Sequence, residues 1–169
     1  MSKQVQVLGY HETPGRVRFG EVDRYGYLWH GHALAYFEAA RADLARRTQL
    51  SVSDLLEFHL AVPMVDLWVE YKKPAHEEDE LITQISLLRQ PLRTPFIEFA
   101  YRIVKMRDGQ EVLRGRTRQL IMPQSGKLVT RLPDEVQRRL ESVWSYLETC
   151  PRWQEEQILG LLGGGRSYS

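Results

Sequence analysis

The chain has 169 residues, a length that fits one domain with a short appendage. Hydrophobic residues make up 43% and charged residues 27%, an ordinary balance for a globular protein with a real core. The formal net charge of +1 argues against bulk electrostatic capture of nucleic acid, which needs a clear basic excess. It leaves room for a local basic pocket that binds a phosphorylated ligand.

The cysteine count and the absence of long apolar stretches indicate the cellular compartment of the protein. Cys150 is the single cysteine, so no intrachain disulfide can form, which is typical of a reducing compartment. The first residues lack the apolar core of a signal peptide, and no stretch approaches the ~20 apolar residues that span a bilayer. We therefore expect a cytoplasmic protein that does not bind membranes, with one domain over residues 1–150 and a partly disordered tail over 151–169.

The first half of the chain is predicted to form a strand, a loop and a long helix. Gly15–Val22 alternates apolar and polar residues, which favours a strand. The loop runs over residues 23–32. In Ala33–Thr48 the composition changes to Ala, Leu, Glu and Arg with apolar residues at helical spacing, which predicts an amphipathic helix. A short helical turn capped by serine follows at residues 51–58.

The second half reads as an antiparallel sheet followed by a helix. Residues 132–148 form a second amphipathic helical pattern, and Asp108-Gly109 indicates a hairpin. The order of the elements predicts an α+β domain in which one curved antiparallel sheet wraps around the first helix. The four predicted strands of this half are Leu60–Tyr71, Leu81–Leu88, Phe96–Met106 and Val112–Met122.

The segment GEVDRYGYLWHGHALAYFEAARADLARR places a carboxylate, two histidines and a turn directly before the long helix. Taken alone, Asp23 is more simply explained as a residue that shapes a turn. The alternative is a carboxylate beside a helix N-terminus, where exposed N–H groups and the helix dipole stabilise a developing negative charge. His30 and Gly31 lie where the helix begins, so their amides are candidate oxyanion donors, and Gly31 permits close approach of the backbone.

A family resemblance rests on this segment. Asp23, Gly26, Trp29-His30 and the Tyr36–Arg41 run resemble the motif of hotdog-fold acyl-CoA thioesterases of the 4-hydroxybenzoyl-CoA thioesterase family. The later segment VEYKKPAHEEDEL resembles the second strand of that family, where Tyr-x-x-Pro leads to an acidic turn. The resemblance covers roughly residues 14–125. It implies a hotdog fold, homodimers or homotetramers with a shared sheet, and thioester hydrolysis without a metal or an organic cofactor.

The resemblance also implies catalytic roles. The amide at His30 would polarise the thioester carbonyl, and Asp23 would act either as a nucleophile that forms an anhydride or as the base that activates water. The imidazole of His30 is a further candidate for orienting water, whereas His32 is expected to be an exposed capping residue. Glu38 is a second candidate catalyst, because a related branch carries its carboxylate on this helix. A supporting ion pair with Arg41 is the alternative role for Glu38.

Residues for binding the substrate are predicted from the same resemblance and from chemistry. Tyr27 and Trp29 are expected to line the pocket beside the carboxylate. Coenzyme A carries phosphates, which arginine side chains bind well. The candidates are Arg89, Arg93 and Arg116. For Arg116, which shares one strand face with Arg114 and Arg118, a solvated face is the alternative interpretation.

The predicted function is hydrolysis of acyl-CoA thioesters to free acid and coenzyme A. Two alternatives stay open: hydrolysis of acyl carrier protein thioesters, and a non-catalytic hotdog module that binds acyl groups. A short open sheet leaves an unpaired edge that invites association. The segments Phe96–Met106 and Val112–Met122 are predicted to continue the sheet across a two-fold axis, giving a homodimer with a shared active site.

Overall fold

The computed structural model describes residues 9–89 and 94–163 of the chain. A 3₁₀ turn at Phe19–Glu21 separates the first strand from the first helix. In chain order the elements are β1 (His11–Arg16), α1 (His30–Arg47), α2 (Val52–Glu57), β2 (Leu60–Ala61), β3 (Met64–Tyr71), β4 (Glu80–Leu87), β5 (Phe96–Lys105), β6 (Glu111–Leu120), β7 (Met122–Pro123), α3 (Asp134–Glu148) and α4 (Glu155–Gly163).

Five strands form one antiparallel sheet in the order β1-β4-β5-β6-β3, and α1 packs on its inner face. The predicted hairpin is confirmed, because Gly109 between β5 and β6 has a φ of 70°. Phe37 of α1 stacks on Tyr101 of β5 with ring centroids 4.1 Å apart, and it also contacts Gly115 of β6. The predicted α+β architecture, with a sheet around one long helix, is therefore confirmed.

Two predicted strands differ from the structure. Gly15–Val22 is a strand only in its first residues, because the chain turns at Arg18, whose backbone N–H donates to the Glu21 carboxylate at 3.0 Å. The predicted strand Leu60–Tyr71 is interrupted at Pro63, which has no N–H to donate to a ladder. The result is a two-residue strand, β2, followed by the longer β3.

The long helix begins three residues earlier than the sequence indicates. Trp29 is the extended residue before the helix, and its carbonyl accepts the N–H groups of His32 at 2.9 Å and Ala33 at 3.1 Å. Both histidines and Gly31 therefore belong to the first turn of α1 rather than to the loop.

The sheet has helices on both faces. α3 contributes Val136, Leu140 and Leu147 to the core on the α1 side. α4 lies on the opposite face, where its Leu161 is fully buried and Gly160 closely approaches the guanidinium of Arg114.

The domain boundary at residue 150 stays a prediction, and the Gly-rich end beyond residue 163 lies outside the described residues. In the part of the chain that is described, no helix combines the length and the hydropathy needed to cross a bilayer.

The edge strands of the sheet differ from those predicted. β5 and β6 are central strands, and each already pairs with a neighbour on both sides. The prediction that these two segments continue the sheet across a two-fold axis is therefore wrong. The outermost strands are β1 and β3.

Candidate active site

Residues 23–27 form a tight turn, here called the aspartate turn. The Oδ1 atom of Asp23 accepts the N–H groups of Tyr25 at 2.8 Å and Tyr27 at 3.1 Å. The backbone of Asp23 bonds to Tyr27 and Gly26, and Gly26 has a φ of 79° that suits glycine. Asp23 does shape a turn, yet within the described residues its second oxygen, Oδ2, has no hydrogen-bond partner.

Backbone hydrogen bonds hold the aspartate turn beside the start of α1. The N–H of Leu28 donates to the carbonyl of Ala75, and the N–H of Trp29 donates to the carbonyl of Glu21, both at 2.8 Å. The hydroxyl of Tyr36 on α1 donates to the Glu21 carboxylate at 2.7 Å, and burial raises the pKa of this tyrosine. The turn and the helix start are thus fixed relative to each other by the local chain.

The first turn of α1 presents free backbone donors. The N–H groups of His30 and Gly31 find no acceptor in the described parts of the chain, because no side chain caps the helix. The first turn also has no acidic residue, so no carboxylate within it neutralises the positive end of the helix dipole. Two unpaired amides at a helix N-terminus are the arrangement that binds an anionic oxygen.

The indole of Trp29 packs over this first turn. Its ring centroid lies 4.8 Å from that of His30 and 5.5 Å from that of His32. A Cβ atom on Gly31 would lie 2.2 Å from the indole ring, so any other residue there would displace the indole. The close approach that Gly31 permits is therefore made by a side chain of the protein itself.

His76 is a neighbour of the site that the sequence analysis missed. It pairs with Tyr27 across an isolated bridge, and the two rings meet edge to face with centroids 5.3 Å apart. His76 precedes β4 and is held by its own N–H, which donates to Asp79 at 2.9 Å. In the sequence, His76 is marked only by the acidic turn after the Tyr-x-x-Pro stretch. That pattern does not reveal its contact with Tyr27, which is distant in sequence.

Glu38 lies apart from the aspartate turn. It is eight residues beyond His30, about 12 Å along the axis of α1 at 1.5 Å per residue. The alternative of an ion pair with Arg41 is confirmed. Glu38 and Arg41 line a cavity of 480 Å³ enclosed by the second half of α1, α2, α3 and the inner face of the sheet, here called the α1–α3 cavity. The residues of the aspartate turn do not line it.

Arg89 lies far from the aspartate turn within one subunit. Its guanidinium donates to Glu141 at 3.3 Å and to Glu148 at 3.5 Å, and it covers the Trp144 ring at 5.2 Å. These partners belong to α3. The aspartate turn is near the Glu80 end of β4, and Arg89 follows the other end, roughly 30 Å away at 3.3 Å per residue.

The other two predicted arginines do not join the turn either. Arg116 lies on β6 with its side chain on the face of the sheet opposite α1, and its guanidinium lies 5.7 Å from the centre of the Trp68 ring. Arg93 lies outside the described residues. In the described ranges, no three His, Cys, Asp or Glu side chains cluster in a way that would hold a metal ion.

Comparison with known proteins gives one consistent family. A model of the "Thioesterase-like superfamily" matches residues 17–140. A protein of Aquifex aeolicus named "Putative esterase" is 30% identical over 121 residues, covering 72% of this chain and 90% of that protein. The acyl-CoA thioester hydrolase YbgC of Escherichia coli is 31% identical over 78 residues, covering 45% and 58%.

The fold is shared with solved structures. The crystal structure of a 1,4-dihydroxy-2-naphthoyl-CoA thioesterase from Synechocystis superposes with a TM-score of 0.69. The match covers 78% of this chain and 96% of that one, at 18% sequence identity, so it speaks for the fold alone. The hotdog fold that the sequence predicts is confirmed.

Proposed function

Because this chain belongs to the thioesterase-like superfamily, we propose that it hydrolyses acyl-CoA thioesters to free acid and coenzyme A. The observation that carries the proposal is the hydrogen bond from Trp29 to the Glu21 carbonyl at 2.8 Å. This bond ties Glu21, two residues before Asp23, to the residue that precedes α1, and it supports placing the Asp23 carboxylate near the unpaired amides of His30 and Gly31. A nucleophile or base and an oxyanion-binding site therefore come from one short stretch of chain.

The chemistry follows from this arrangement. The thioester carbonyl oxygen accepts hydrogen bonds from the amides of His30 and Gly31, and the helix dipole stabilises the charge that develops on it. In one route Oδ2 of Asp23 attacks the carbonyl carbon, the C–S bond breaks, coenzyme A leaves as thiolate, and water hydrolyses the mixed anhydride. In the other route Asp23 removes a proton from water, and the hydroxide attacks the same carbon. Both routes require an ionised carboxylate.

Exposed aromatic side chains around the turn support substrate binding there. Tyr27 is 44% and Trp29 45% exposed, and Phe19 and Tyr25 are each 79% exposed. Large aromatic side chains that stay exposed are enriched at binding sites. We assign Tyr27 and Trp29 to the wall that receives the thioester, as the resemblance implies.

A panel of thioesters with detection of the released thiol tests the function. Hydrolysis of coenzyme A esters supports the proposal. Hydrolysis of acyl carrier protein esters alone favours the carrier-protein alternative. Release of thiol from neither substrate, by a folded protein, would leave a non-catalytic module that binds acyl groups.

A homodimer formed through β3 is part of the proposal. β3 is an edge strand that exposes four large apolar side chains: Met64 at 41%, Val65 at 50%, Leu67 at 39% and Tyr71 at 51%. Such an edge pairs readily with another strand. Two copies of β3 related by a two-fold axis would form one continuous sheet and an isologous interface. The second subunit would then close the open side of the site and supply cations for the coenzyme A phosphates.

Substitution on the edge strand tests the dimer. Leu67→Glu places a charge at the centre of the proposed interface, so we expect a monomer in sedimentation velocity and loss of thioesterase activity. Leu128→Glu is the matched control, because Leu128 is 74% exposed and lies outside the sheet. A wild-type chain that is a fully active monomer at the assay concentration would contradict the shared site.

A further inference from the structure

Three short segments pair side by side where the aspartate turn meets the rest of the chain. One isolated antiparallel bridge joins Val22 to Leu28, and a second joins Tyr27 to His76. The N–H of Asp23 also donates to the carbonyl of Tyr27 at 2.8 Å. The middle segment therefore has a partner on each side, as an inner strand of a small antiparallel sheet has. In spatial order the segments are residues 22–23, 27–28 and 75–76.

This pairing sorts the six residues onto two faces. Consecutive residues of an extended segment point to opposite faces, and residues directly opposite each other point to the same face. The inward set, which belongs to the hydrophobic core or packs against it, is Val22, Leu28 and Ala75. The outward set is Asp23, Tyr27 and His76. Neighbours in such a set have Cα atoms about 5 Å apart, so His76 lies roughly 10 Å from Asp23 with Tyr27 between them.

The rings of Tyr27 and His76 contact each other on the outward face. They meet edge to face, with centroids 5.3 Å apart and planes at 75°. Aromatic rings favour this arrangement, because the positive edge of one ring meets the negative face of the other. Tyr27 is 44% exposed, and within the described residues its hydroxyl has no hydrogen-bond partner. Since the hydroxyl does not anchor the ring, the orientation of the ring depends on the contact with His76.

The backbone of His76 is held by a buried ion pair. The Asp79 carboxylate accepts the His76 N–H at 2.9 Å and lies 2.9 Å from Nζ of Lys105, whose side chain is 4% exposed. The backbone of Asp79 donates to the carbonyl of His76 at 3.1 Å and accepts the N–H of Val17 at 3.0 Å. Lys105 ends β5 and Val17 follows β1, so the sheet fixes the segment that carries His76.

We propose that His76 is a positioning residue of the candidate site, and that its ring holds the ring of Tyr27 against the bound thioester. This inference deepens the proposed function and rests on it, because Tyr27 is assigned there to the wall that receives the thioester. His76 acts through Tyr27 and does not touch the reacting atoms. The buried pair of Lys105 and Asp79 supplies the rigid support on which this wall depends.

Binding of an analogue that cannot be hydrolysed tests this role. The probe is the ketone analogue of acetyl-CoA in which a methylene group replaces the thioester sulfur. It keeps the carbonyl group and the coenzyme A part that all acyl-CoA thioesters share. In calorimetry, His76→Ala should bind the analogue about fivefold more weakly than wild type, which is the size of one edge-to-face contact.

Three further variants separate the ring of His76 from its polar atoms. His76→Phe keeps an aromatic ring beside Tyr27 and should bind the analogue within about twofold of wild type. His76→Gln keeps polar atoms without a ring and should bind as weakly as His76→Ala. Glu77→Ala is the matched control, because Glu77 is the next residue of the same turn and is exposed. It should bind like wild type.

A double-mutant cycle distinguishes positioning from a general effect on the fold. Tyr27→Ala leaves no ring to hold, so adding His76→Ala to it should weaken binding by less than about twofold. If His76 only stabilised the local fold, the loss would be equal in both backgrounds. Circular dichroism of each variant checks that the fold is retained.

Hydrolysis gives a second readout of the same contact. A wall contact stabilises the bound thioester and its transition state equally, so its loss raises KM and leaves kcat unchanged. In His76→Ala we expect KM to rise about fivefold with kcat within about twofold of wild type.

Several results would overturn the proposal. They are wild-type affinity or wild-type KM in folded His76→Ala, rescue by His76→Gln but not by His76→Phe, and an additive loss in the Tyr27→Ala background. A chain that shows the expected affinities but hydrolyses no thioester would keep the role of His76 and refute the proposed hydrolysis instead. A folded chain that neither binds the analogue nor hydrolyses a thioester would refute both.

Discussion

The two halves of α1 lie in different surroundings. The first turn is open, with unpaired amides at His30 and Gly31 beneath an indole that is 45% exposed. One face of the second half is covered by α2, α3 and the sheet, and Asp43 on this half is held by the His11 ring at 2.6 Å. Backbone donors are free only at the start of a helix, so chemistry that needs them belongs at that end. The second half has satisfied backbone groups and buries Leu44 in the core, so it offers no free backbone donor for such chemistry.

Loss of the Asp23 charge is the strongest test of the open end. In Asp23→Asn the amide oxygen still accepts the N–H groups of Tyr25 and Tyr27, so the turn is retained while both catalytic routes are lost. We expect kcat/KM to fall by at least ~100-fold with an unchanged circular dichroism spectrum.

Glu38→Gln is the matched control for this test, since it removes a carboxylate that lines the α1–α3 cavity instead. It should retain most of the activity. Near wild-type turnover in Asp23→Asn together with an inactive Glu38→Gln would move the catalytic carboxylate to the middle of α1.

Addition of one methyl group at the helix start should have a smaller effect. In Gly31→Ala the new Cβ would lie 2.2 Å from the Trp29 ring, so the indole must shift from its place over the amides. Because misplacement of this order disturbs substrate positioning, we expect kcat/KM to fall about tenfold. Gly20→Ala is the control, since nothing lies within 4 Å of a Cβ at that position. Equal kinetics in the two variants would show that the indole position does not matter.

Removal of the His30 side chain should matter least to catalysis. His30→Ala keeps the backbone N–H that serves as oxyanion donor, so the rate should stay within about threefold of wild type. A large fall in kcat with an unchanged KM would instead show that the imidazole takes part in the transition state.

The second half of α1 is tested by thermal stability rather than by the rate of hydrolysis. The hydrogen bond from the His11 ring lowers the pKa of the Asp43 carboxyl, and His11 in turn bonds to Tyr146 of α3 at 2.7 Å. A lowered pKa stabilises the folded state above the unfolded pKa, and this contribution is lost as the pH falls through the folded value. Asp43→Asn should therefore melt roughly 2 °C below wild type at pH 7, and the difference should shrink as the pH falls below the unfolded pKa. A difference independent of pH would exclude the charge as its cause.

What the sequence predicted well is what depends on neighbours along the chain. The segment from Asp23 to Arg41 predicted the turn, the presence of the helix and the ion pair of Glu38, because these contacts are local, although the helix begins three residues earlier than predicted. The cavity was not predicted, since Gln119 meets α1 and α3 only after the sheet is assembled. Alternation along β6 puts Arg116 and Gln119 on opposite faces but does not say which face α1 covers. The free edge at β3 is likewise a property of strand order, which no local pattern encodes.

The place of Trp29 gives the protein an optical reporter at the proposed site. Of its four tryptophans, Trp144 and Trp153 are at most 5% exposed and Trp68 is partly buried. The red edge of the intrinsic emission should therefore come mainly from the indole that stands between the two histidine rings. A ligand that covers or displaces this ring should change the intensity and the wavelength of that emission. Occupancy can then be followed by stopped-flow fluorescence with unlabelled protein, and Trp29→Phe supplies the blank.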